Sequence, residues 1–161
     1  MTSRICYLDF DGVTHFAPVY WNSERGMHFD EPGHILFEWM PVLDSLLGQF
    51  PEVQIVLSTA WVRTQGLDYA QSMLPLALQA RVIGATFDNR YIQKLDFDLM
   101  PRGLQVCDDV VRRRPSSWFA IDNDDQGWPQ VCRSRLIKTD DSRGLSDPMV
   151  QSAILKMLAS L

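Results

Sequence analysis

Two aspartates separated by one residue follow an apolar run near the start of the chain. Residues 5–8 are Ile-Cys-Tyr-Leu, and Asp9, Asp11 and Gly12 come shortly after them. The run predicts a short buried strand, and Gly12 can take the positive φ that lets the chain turn sharply beyond it. Carboxylates and loop amides at the carboxyl edge of a strand suit a hard cation and a phosphate. The alternative is a strand that ends in a solvated turn without a ligand.

Two later apolar runs also end in polar side chains. Val53–Leu57 is followed by Ser58 and Thr59, and residues 118–121 are followed by the acidic run 122–125. Because the carboxyl ends of parallel strands lie at the same edge of a sheet, these side chains should meet the two aspartates. Three coincident polar strand ends are hard to explain as chance turns, so the sequence favours a site for a metal ion and a phosphate.

These residue types match the needs of phosphoryl transfer, which requires an in-line nucleophile and neutralised phosphate oxygens. Asp9 can attack phosphorus to give an aspartyl-phosphate. Asp9 and Asp122 can bind Mg²⁺, which takes one or two carboxylates together with a phosphate oxygen. Asp11 can protonate the leaving oxygen and later accept a proton from water. Ser58 or Thr59 can donate a hydroxyl hydrogen bond to the phosphate.

A fixed positive charge is also needed at such a site. Arg102 precedes a predicted helix over residues 103–113 that leads into the strand before the acidic run, so it is the first candidate. Arg63 follows the Ser-Thr pair by a few residues and is the second. Other basic residues in this part of the chain are Arg90, Lys94 and the run 112–114. That run is interpreted as a solvated helix end, which the helix dipole favours.

Strands that alternate with helices predict a parallel sheet covered on both faces, an α/β sandwich of three layers in the Rossmann-like class. Residues 1–161 are expected to form one domain, in which residues 14–40 are a flap or loop after the first strand. Further strands are predicted at residues 81–86 and 136–138. Further helices are predicted at residues 41–47, at residues 66–80 with a break at Pro75, and after an N-cap at Ser146.

Composition narrows the function classes. The chain has 161 residues, of which 46% are hydrophobic, and a net charge of −5. This charge disfavours an electrostatic grip on duplex nucleic acid or on an anionic membrane. No apolar stretch is long enough to span a membrane, and Asp9 comes too early for a signal peptide. The cysteines lack a zinc-ligand spacing, so we expect reduced thiols, no zinc and a cytoplasmic protein.

The order of these motifs resembles that of the haloacid dehalogenase (HAD) superfamily across most of the chain. Residues 9–13, Asp-Phe-Asp-Gly-Val, look like its first motif, the Ser-Thr pair like its second, Arg102 like its third and residues 118–122 like its fourth. The resemblance implies a HAD-like fold without a large cap domain. It also implies a phosphatase that depends on Mg²⁺ and has Asp9 as nucleophile and Asp11 as general acid and base. A phosphotransferase or a dehalogenase on the same fold is a rival, although dehalogenation needs no Mg²⁺.

Within this resemblance, each candidate residue has an expected role. The catalytic set comprises Asp9, Asp11, Ser58 and Arg102. The phosphate-binding set comprises Gly12, Ser58, Thr59 and Arg102. The metal-binding set comprises Asp9, Asp11 through its main-chain oxygen, Asp122 and Asp125. Asn123 and Asp124 remain alternatives to Asp125, and Arg63 remains an alternative to Arg102.

Residues 55–63, residues 82–86 and the helix after Arg102 look like the small HAD domains associated with bacterial RNA-repair proteins. That resemblance implies a phosphoester substrate at the end of an RNA or DNA strand, and it gives no reason to expect an obligate protein partner. Trp21 and Phe29 can stack on a base, or they can pack the flap onto the body. The histidines His15, His28 and His34 lack metal-ligand spacing and are expected on the surface or in the flap. The competing hypothesis is a catalytically silent domain that binds a phosphorylated partner or a nucleic-acid end.

Overall fold

A five-stranded parallel sheet forms the centre of the molecule, in a computed structural model that describes residues 3–161. The strands in chain order are β1 Arg4–Leu8, β2 Tyr20–Asn22, β3 Gly26–His28, β4 Val53–Leu57, β5 Val82–Ala85, β6 Ser117–Asp122 and β7 Leu136–Lys138. The sheet order is β5-β4-β1-β6-β7, and every pairing in it is parallel. β1 therefore lies at the centre, between the two strands that precede the predicted Ser-Thr and acidic motifs.

Helices cover the sheet. They are α1 Met40–Gly48, α2 Trp61–Gln65, α3 Leu67–Ser72, α4 Leu76–Gln79, α5 Lys94–Leu99, α6 Arg102–Arg113 and α7 Pro148–Ser160. The predicted α/β class and the predicted strands are confirmed, and the predicted break at Pro75 separates α3 from α4. The short helices α2 and α5 have no counterpart in the sequence prediction.

The cap of the last helix differs from the prediction. Asp147, rather than Ser146, is the N-cap of α7, and its Oδ1 accepts a hydrogen bond of 2.9 Å from the Met149 amide. Pro148 occupies the first helical position, where its missing N–H costs nothing. Ser146 belongs to the preceding 3₁₀ turn, and its hydroxyl donates to the Arg143 carbonyl.

Alternate residues of the central strand are buried on opposite faces of the sheet. Cys6 and Leu8 pack into the larger core with α1 and α7. Ile5 and Tyr7 pack into a smaller core with Val106 of α6. Burial on both faces is what the continuous apolar strands require, and it produces the three layers.

Asp109 is a fully buried residue of α6, and it accounts for the position of two of the arginines that follow it. The carboxylate accepts hydrogen bonds from Arg112, from Arg113 and from the Tyr7 hydroxyl. The interpretation of this run as a solvated helix end is therefore wrong for Arg112 and Arg113, because both neutralise a buried charge.

The flap contains the hairpin of β2 and β3, and its residues His15 and Phe37 pack against Trp61 of the body. Phe29 is buried and packs edge-on against His15, and Phe16 stacks on His34 with ring centroids 3.7 Å apart. Phe29 therefore anchors the flap, whereas Trp21 is 58% exposed. In residues 3–161 no inserted segment forms a separate cap domain.

None of the helices in the described part of the chain is long and apolar enough to cross a membrane. The cysteines Cys6, Cys107 and Cys132 are free thiols, and Cys6 is buried in the core as expected.

Candidate active site

Asp9, Ser58 and Asp122 lie side by side at the carboxyl edge of the sheet. Leu8 of β1 is in register with the residue that precedes Ser58 on β4, and also with the residue that precedes Asp122 on β6. The Ser58 amide donates to the Leu8 carbonyl at 2.9 Å, which continues the ladder by one residue. All three residues are at least 97% buried. The sheet register therefore brings together the groups that the sequence placed at three separate strand ends.

Arg102 supplies the positive charge of this cluster. Its Nη1 lies 3.7 Å from Asp9 Oδ1 and 3.5 Å from Asp122 Oδ2, and 12% of its side chain is exposed. The start of α6 approaches the loop after β6 closely, since a Cβ on Gly103 would lie 2.4 Å from the Trp128 backbone. Only glycine permits this approach, which directs the preceding arginine to the sheet edge.

Burial shifts the pKa values of the acids in this cluster. It raises the pKa of Asp9, and it raises the pKa of Asp122 well above its usual range, with the neighbouring Asp9 adding to the effect on Asp122. Arg102 opposes both shifts. Burial alone would lower the pKa of Arg102, but Asp9 and Asp122 outweigh it and raise that pKa, so the guanidinium stays charged.

Three buried polar atoms of this cluster have no hydrogen-bond partner. Across residues 3–161, four buried side-chain atoms are unpaired, and Ser58 Oγ, Arg102 Nη1 and Asp122 Oδ2 are three of them. Buried polar atoms are paired in most native proteins, so such a concentration indicates a ligand. A hydroxyl and a guanidinium N–H fit phosphate oxygens, and a carboxylate oxygen fits a cation.

The donor set fits Mg²⁺. No group of three or more acidic, histidine or cysteine side chains suited to a metal occurs within the described residues. Mg²⁺ needs no such cage, because it keeps several waters and binds through one or two carboxylates with substrate phosphate. The carboxylates of Asp9 and Asp122, with the main-chain oxygen of Asp11, are the groups that would hold it.

Asp11 is held by two N–H donors. Its Oδ1 lies 2.8 Å from the indole Nε1 of Trp61 and 2.9 Å from His15 Nε2. His15 lies at the start of the segment predicted as the flap, but it is not a surface residue, because its side chain is 0% exposed. His28 and His34 lie in the flap, as expected. The Asp11 side chain remains 32% exposed, which leaves the carboxyl accessible to a substrate.

Gly12 and Thr59 have structural tasks at this edge. Gly12 has φ +73°, and its amide donates to the His15 carbonyl at 2.9 Å. The Gly12 amide is therefore not available to a phosphate, contrary to the predicted phosphate-binding role, and Gly12 instead forms the turn. Thr59 is buried, and its Oγ1 accepts a hydrogen bond of 3.3 Å from the Trp61 amide, whereas the Ser58 hydroxyl is unpaired.

Asp125 has a partner of its own in Lys138. Its side chain is 42% exposed and pairs with Lys138 at 2.8 Å, and this hydrogen bond lowers the pKa of Asp125. Its metal role stays a prediction. The Asp124 amide donates to Asp122 Oδ1 at 2.9 Å, while its own carboxylate accepts from the Gln126 amide.

Arg63 lies beside the cluster, in a groove next to Asp11. The groove has a volume of about 520 Å³ and lies between the flap hairpin, including Trp21, and α2. Arg63 and Lys94 line it and both bind Asp98, at 2.6 Å and 2.8 Å. Arg102 is therefore the cation of the cluster, while Arg63 and Lys94 bring two basic groups to a groove whose acidic neighbours are Asp98 and Asp11.

The two donors that hold Asp11 could not be predicted from the sequence. His15 follows Asp11 by four residues, and Trp61 follows Ser58 by three. Neither spacing is a signal by itself, because both contacts depend on how the flap and α2 pack over the strand ends.

The central strand of the parallel sheet is followed by an Asp-x-Asp-Gly turn, the flanking strands end in a hydroxyl and an acid, and an arginine lies beside the two acids. These features define a HAD-like domain, and the described residues form no large cap. The family model for the HAD domain in Swiss Army Knife RNA repair proteins matches residues 5–150. The chain belongs to that family. Searches of curated proteins and of solved structures gave no match.

Proposed function

We propose that this protein is a Mg²⁺-dependent phosphatase that acts through an aspartyl-phosphate on Asp9. The observation that carries the proposal is the concentration of unpaired buried atoms, on Ser58, Arg102 and Asp122, around the Asp9 carboxylate. A phosphodianion and a divalent cation would satisfy these atoms together, whereas either one alone would leave some of them unpaired.

The chain's own groups cover each step of the reaction. Asp9 attacks phosphorus, the bond from phosphorus to the leaving oxygen breaks, and that oxygen takes a proton from Asp11. Asp11 then removes a proton from the water that attacks the aspartyl-phosphate, which releases inorganic phosphate and restores Asp9. The Ser58 hydroxyl and Arg102 donate to the phosphate oxygens throughout. When bound, Mg²⁺ supplies positive charge that offsets the repulsion between the carboxylates and the phosphate.

We further propose a nucleic-acid end, preferably of RNA, as the substrate. The groove beside Asp11 supports this choice, because it offers an exposed indole for stacking and two basic side chains, Arg63 and Lys94, that can contact a phosphodiester. The absence of a large cap leaves room for an extended substrate. The description of the family refers to RNA repair proteins, and we extend that association to this chain as a proposal. We also propose that the protein acts in the cytoplasm and needs no obligate protein partner.

Turnover of a phosphate-ended trinucleotide tests both parts of the proposal. Its kcat/KM with Mg²⁺ should exceed those of a panel of sugar phosphates and nucleotides. If the kcat/KM of a small metabolite exceeds that of the trinucleotide by tenfold or more, about 1.4 kcal/mol in transition-state binding, the proposed nucleic-acid substrate is wrong and only the phosphatase activity stands. Binding of the trinucleotide without release of phosphate from any ester would instead indicate the catalytically silent domain.

A further inference from the structure

His15 joins the candidate acid Asp11 to the flap through both of its ring nitrogens. Nε2 lies 2.9 Å from Asp11 Oδ1, and Nδ1 lies 3.2 Å from the backbone nitrogen of Phe37. The ring has no exposed surface, so water does not compete for either nitrogen. Phe37 packs edge-on against this ring with centroids 4.7 Å apart.

Two groups contact Nδ1 of His15: the Phe37 amide at 3.2 Å and the Thr14 hydroxyl at 3.3 Å. The hydroxyl can rotate to donate or accept, but a backbone N–H can only donate, so the Phe37 contact makes Nδ1 the accepting, unprotonated nitrogen. The proton of the neutral ring is then on Nε2 and is donated to Asp11 Oδ1. Phe37 has φ +60°, an uncommon conformation for a bulky residue, so its amide is held in this direction at some cost in strain.

The two donors on Asp11 Oδ1 also distinguish the two carboxyl oxygens. Trp61 Nε1 and His15 Nε2 both donate to Oδ1, which occupies the lone pairs of that oxygen. A proton on Oδ1 would face two N–H groups, so the acid form of Asp11 must carry its proton on Oδ2.

We propose that His15 is a positioning residue. As the Nε2–H tautomer it fixes the Asp11 carboxyl so that Oδ2 exchanges the proton with the leaving group. Through its contact with Phe37 it also links this geometry to the end of the flap. The inference rests on the proposed phosphatase function and assigns no proton transfer to His15 itself. Its consequence is that the flap and the acid are positioned by one side chain.

Two amide variants separate the functions of the two ring nitrogens. Glutamine places an amide near the position of Nε2, so His15→Gln keeps a donor for Asp11 and loses the acceptor for Phe37. Asparagine places its amide near Nδ1, so His15→Asn keeps the acceptor and loses the donor. We expect His15→Asn to lower kcat for alkyl phosphates about tenfold or more, part of the roughly 10²–10⁴-fold typical of general acid–base catalysis.

The pattern across substrates identifies positioning. With an aryl phosphate, whose leaving group needs no proton, His15→Asn should stay within about threefold of the unaltered protein, because the general-acid contribution is then small. His15→Gln should stay within that range for both ester types. Equal losses in the two variants, or a loss that does not depend on the leaving group, would overturn the inference.

NMR spectroscopy tests the tautomer without turnover. In the unaltered protein the ¹⁵N shifts of His15 should show a protonated Nε2 and an unprotonated Nδ1. In the variant Asp11→Ala both the His15 Nε2–H and the Trp61 Nε1–H resonances should move. A protonated Nδ1 would refute the positioning role even if the enzyme is active. If the ¹⁵N pattern is as expected but no phosphate ester is turned over, the proposed function fails while the geometry stands.

Discussion

Replacing Arg102 by methionine should destabilise the metal-free protein, because it removes the charge that offsets two buried carboxylates. Arg102 Nη1 lies 3.7 Å from Asp9 and 3.5 Å from Asp122, and the two acids are 97% and 100% buried. Methionine retains most of the apolar length of the side chain, so the variant chiefly tests the loss of the guanidinium.

The size of the effect follows from the burial of the cluster. Removal of one partner from a buried ion pair costs about 3–5 kcal/mol, because the remaining charge loses its compensation. For a domain of this size each kcal/mol lowers Tm by about 2–4 °C, so we expect a decrease of about 6–20 °C. Protonation of Asp122 or Asp9 in the variant would move the result toward the smaller value.

The destabilisation should increase as the pH rises. Burial raises the pKa of Asp9 and of Asp122 in the folded state above the unfolded value near 3.8. Between these values the folded state binds more protons than the unfolded state, so stability falls with rising pH. Without Arg102 the folded pKa values rise further, so the loss becomes larger and extends to higher pH. Below about pH 3 both acids are largely neutral in both states, and the variant should differ little from the unaltered protein.

Thermal and urea unfolding in excess chelator, at several values between pH 4 and pH 8, measure this effect. Arg63→Met is the matched control, because Arg63 pairs at 2.6 Å with Asp98, a partly exposed carboxylate. The double variant Arg102→Met with Asp122→Asn should recover part of the lost stability. A Tm decrease that is independent of pH, or no larger than that of Arg63→Met, would refute the account of the cluster.

Four further results are expected from activity measurements. Asp9→Asn should lower phosphate release about a thousandfold or more, and retention of more than about a tenth of the rate would remove Asp9 as the nucleophile. Asp11→Asn should reduce turnover most for substrates with poor leaving groups and least for an aryl phosphate; a uniform loss would argue against the acid role. Chelation should abolish activity, Mg²⁺ should restore it and Ca²⁺ should restore it poorly, whereas full activity in excess chelator would contradict the metal mechanism. Trp21→Ala should raise KM for a trinucleotide more than for a chromogenic ester, while Tyr20→Ala, on the other face of the same strand, should not.

The sheet edge was predictable because local sequence determines each of its parts. β1, β4 and β6 are mostly apolar runs, and a polar residue ends or directly follows each of them, so strand ends could be located without the fold. The N-cap of α7 could also be predicted from the sequence. Proline favours the first helical position, so the residue before Pro148 is the expected cap. The prediction of Ser146 gave less weight to that rule than to the preference of serine for N-caps.

The partners of the site residues were not predictable, because they depend on distant parts of the chain. Asp125 and Lys138 are thirteen residues apart and meet only because β7 pairs with β6. The choice of Arg102 over Arg63 depends on the close packing of α6 against the Trp128 loop, which no local pattern records. The burial of His15 requires the flap to fold back over the turn after β1.

The acidic net charge and a nucleic-acid substrate are compatible if only the strand end is bound. The chain carries a net charge of −5, yet the groove beside Asp11 holds two basic residues that share one carboxylate. Such a site neutralises few phosphates, and each neutralised phosphate contributes to the salt dependence of binding. We therefore expect an affinity that depends only shallowly on salt and that stops increasing after a few nucleotides. A steep salt dependence, or an affinity that grows with strand length, would require a basic surface beyond the groove.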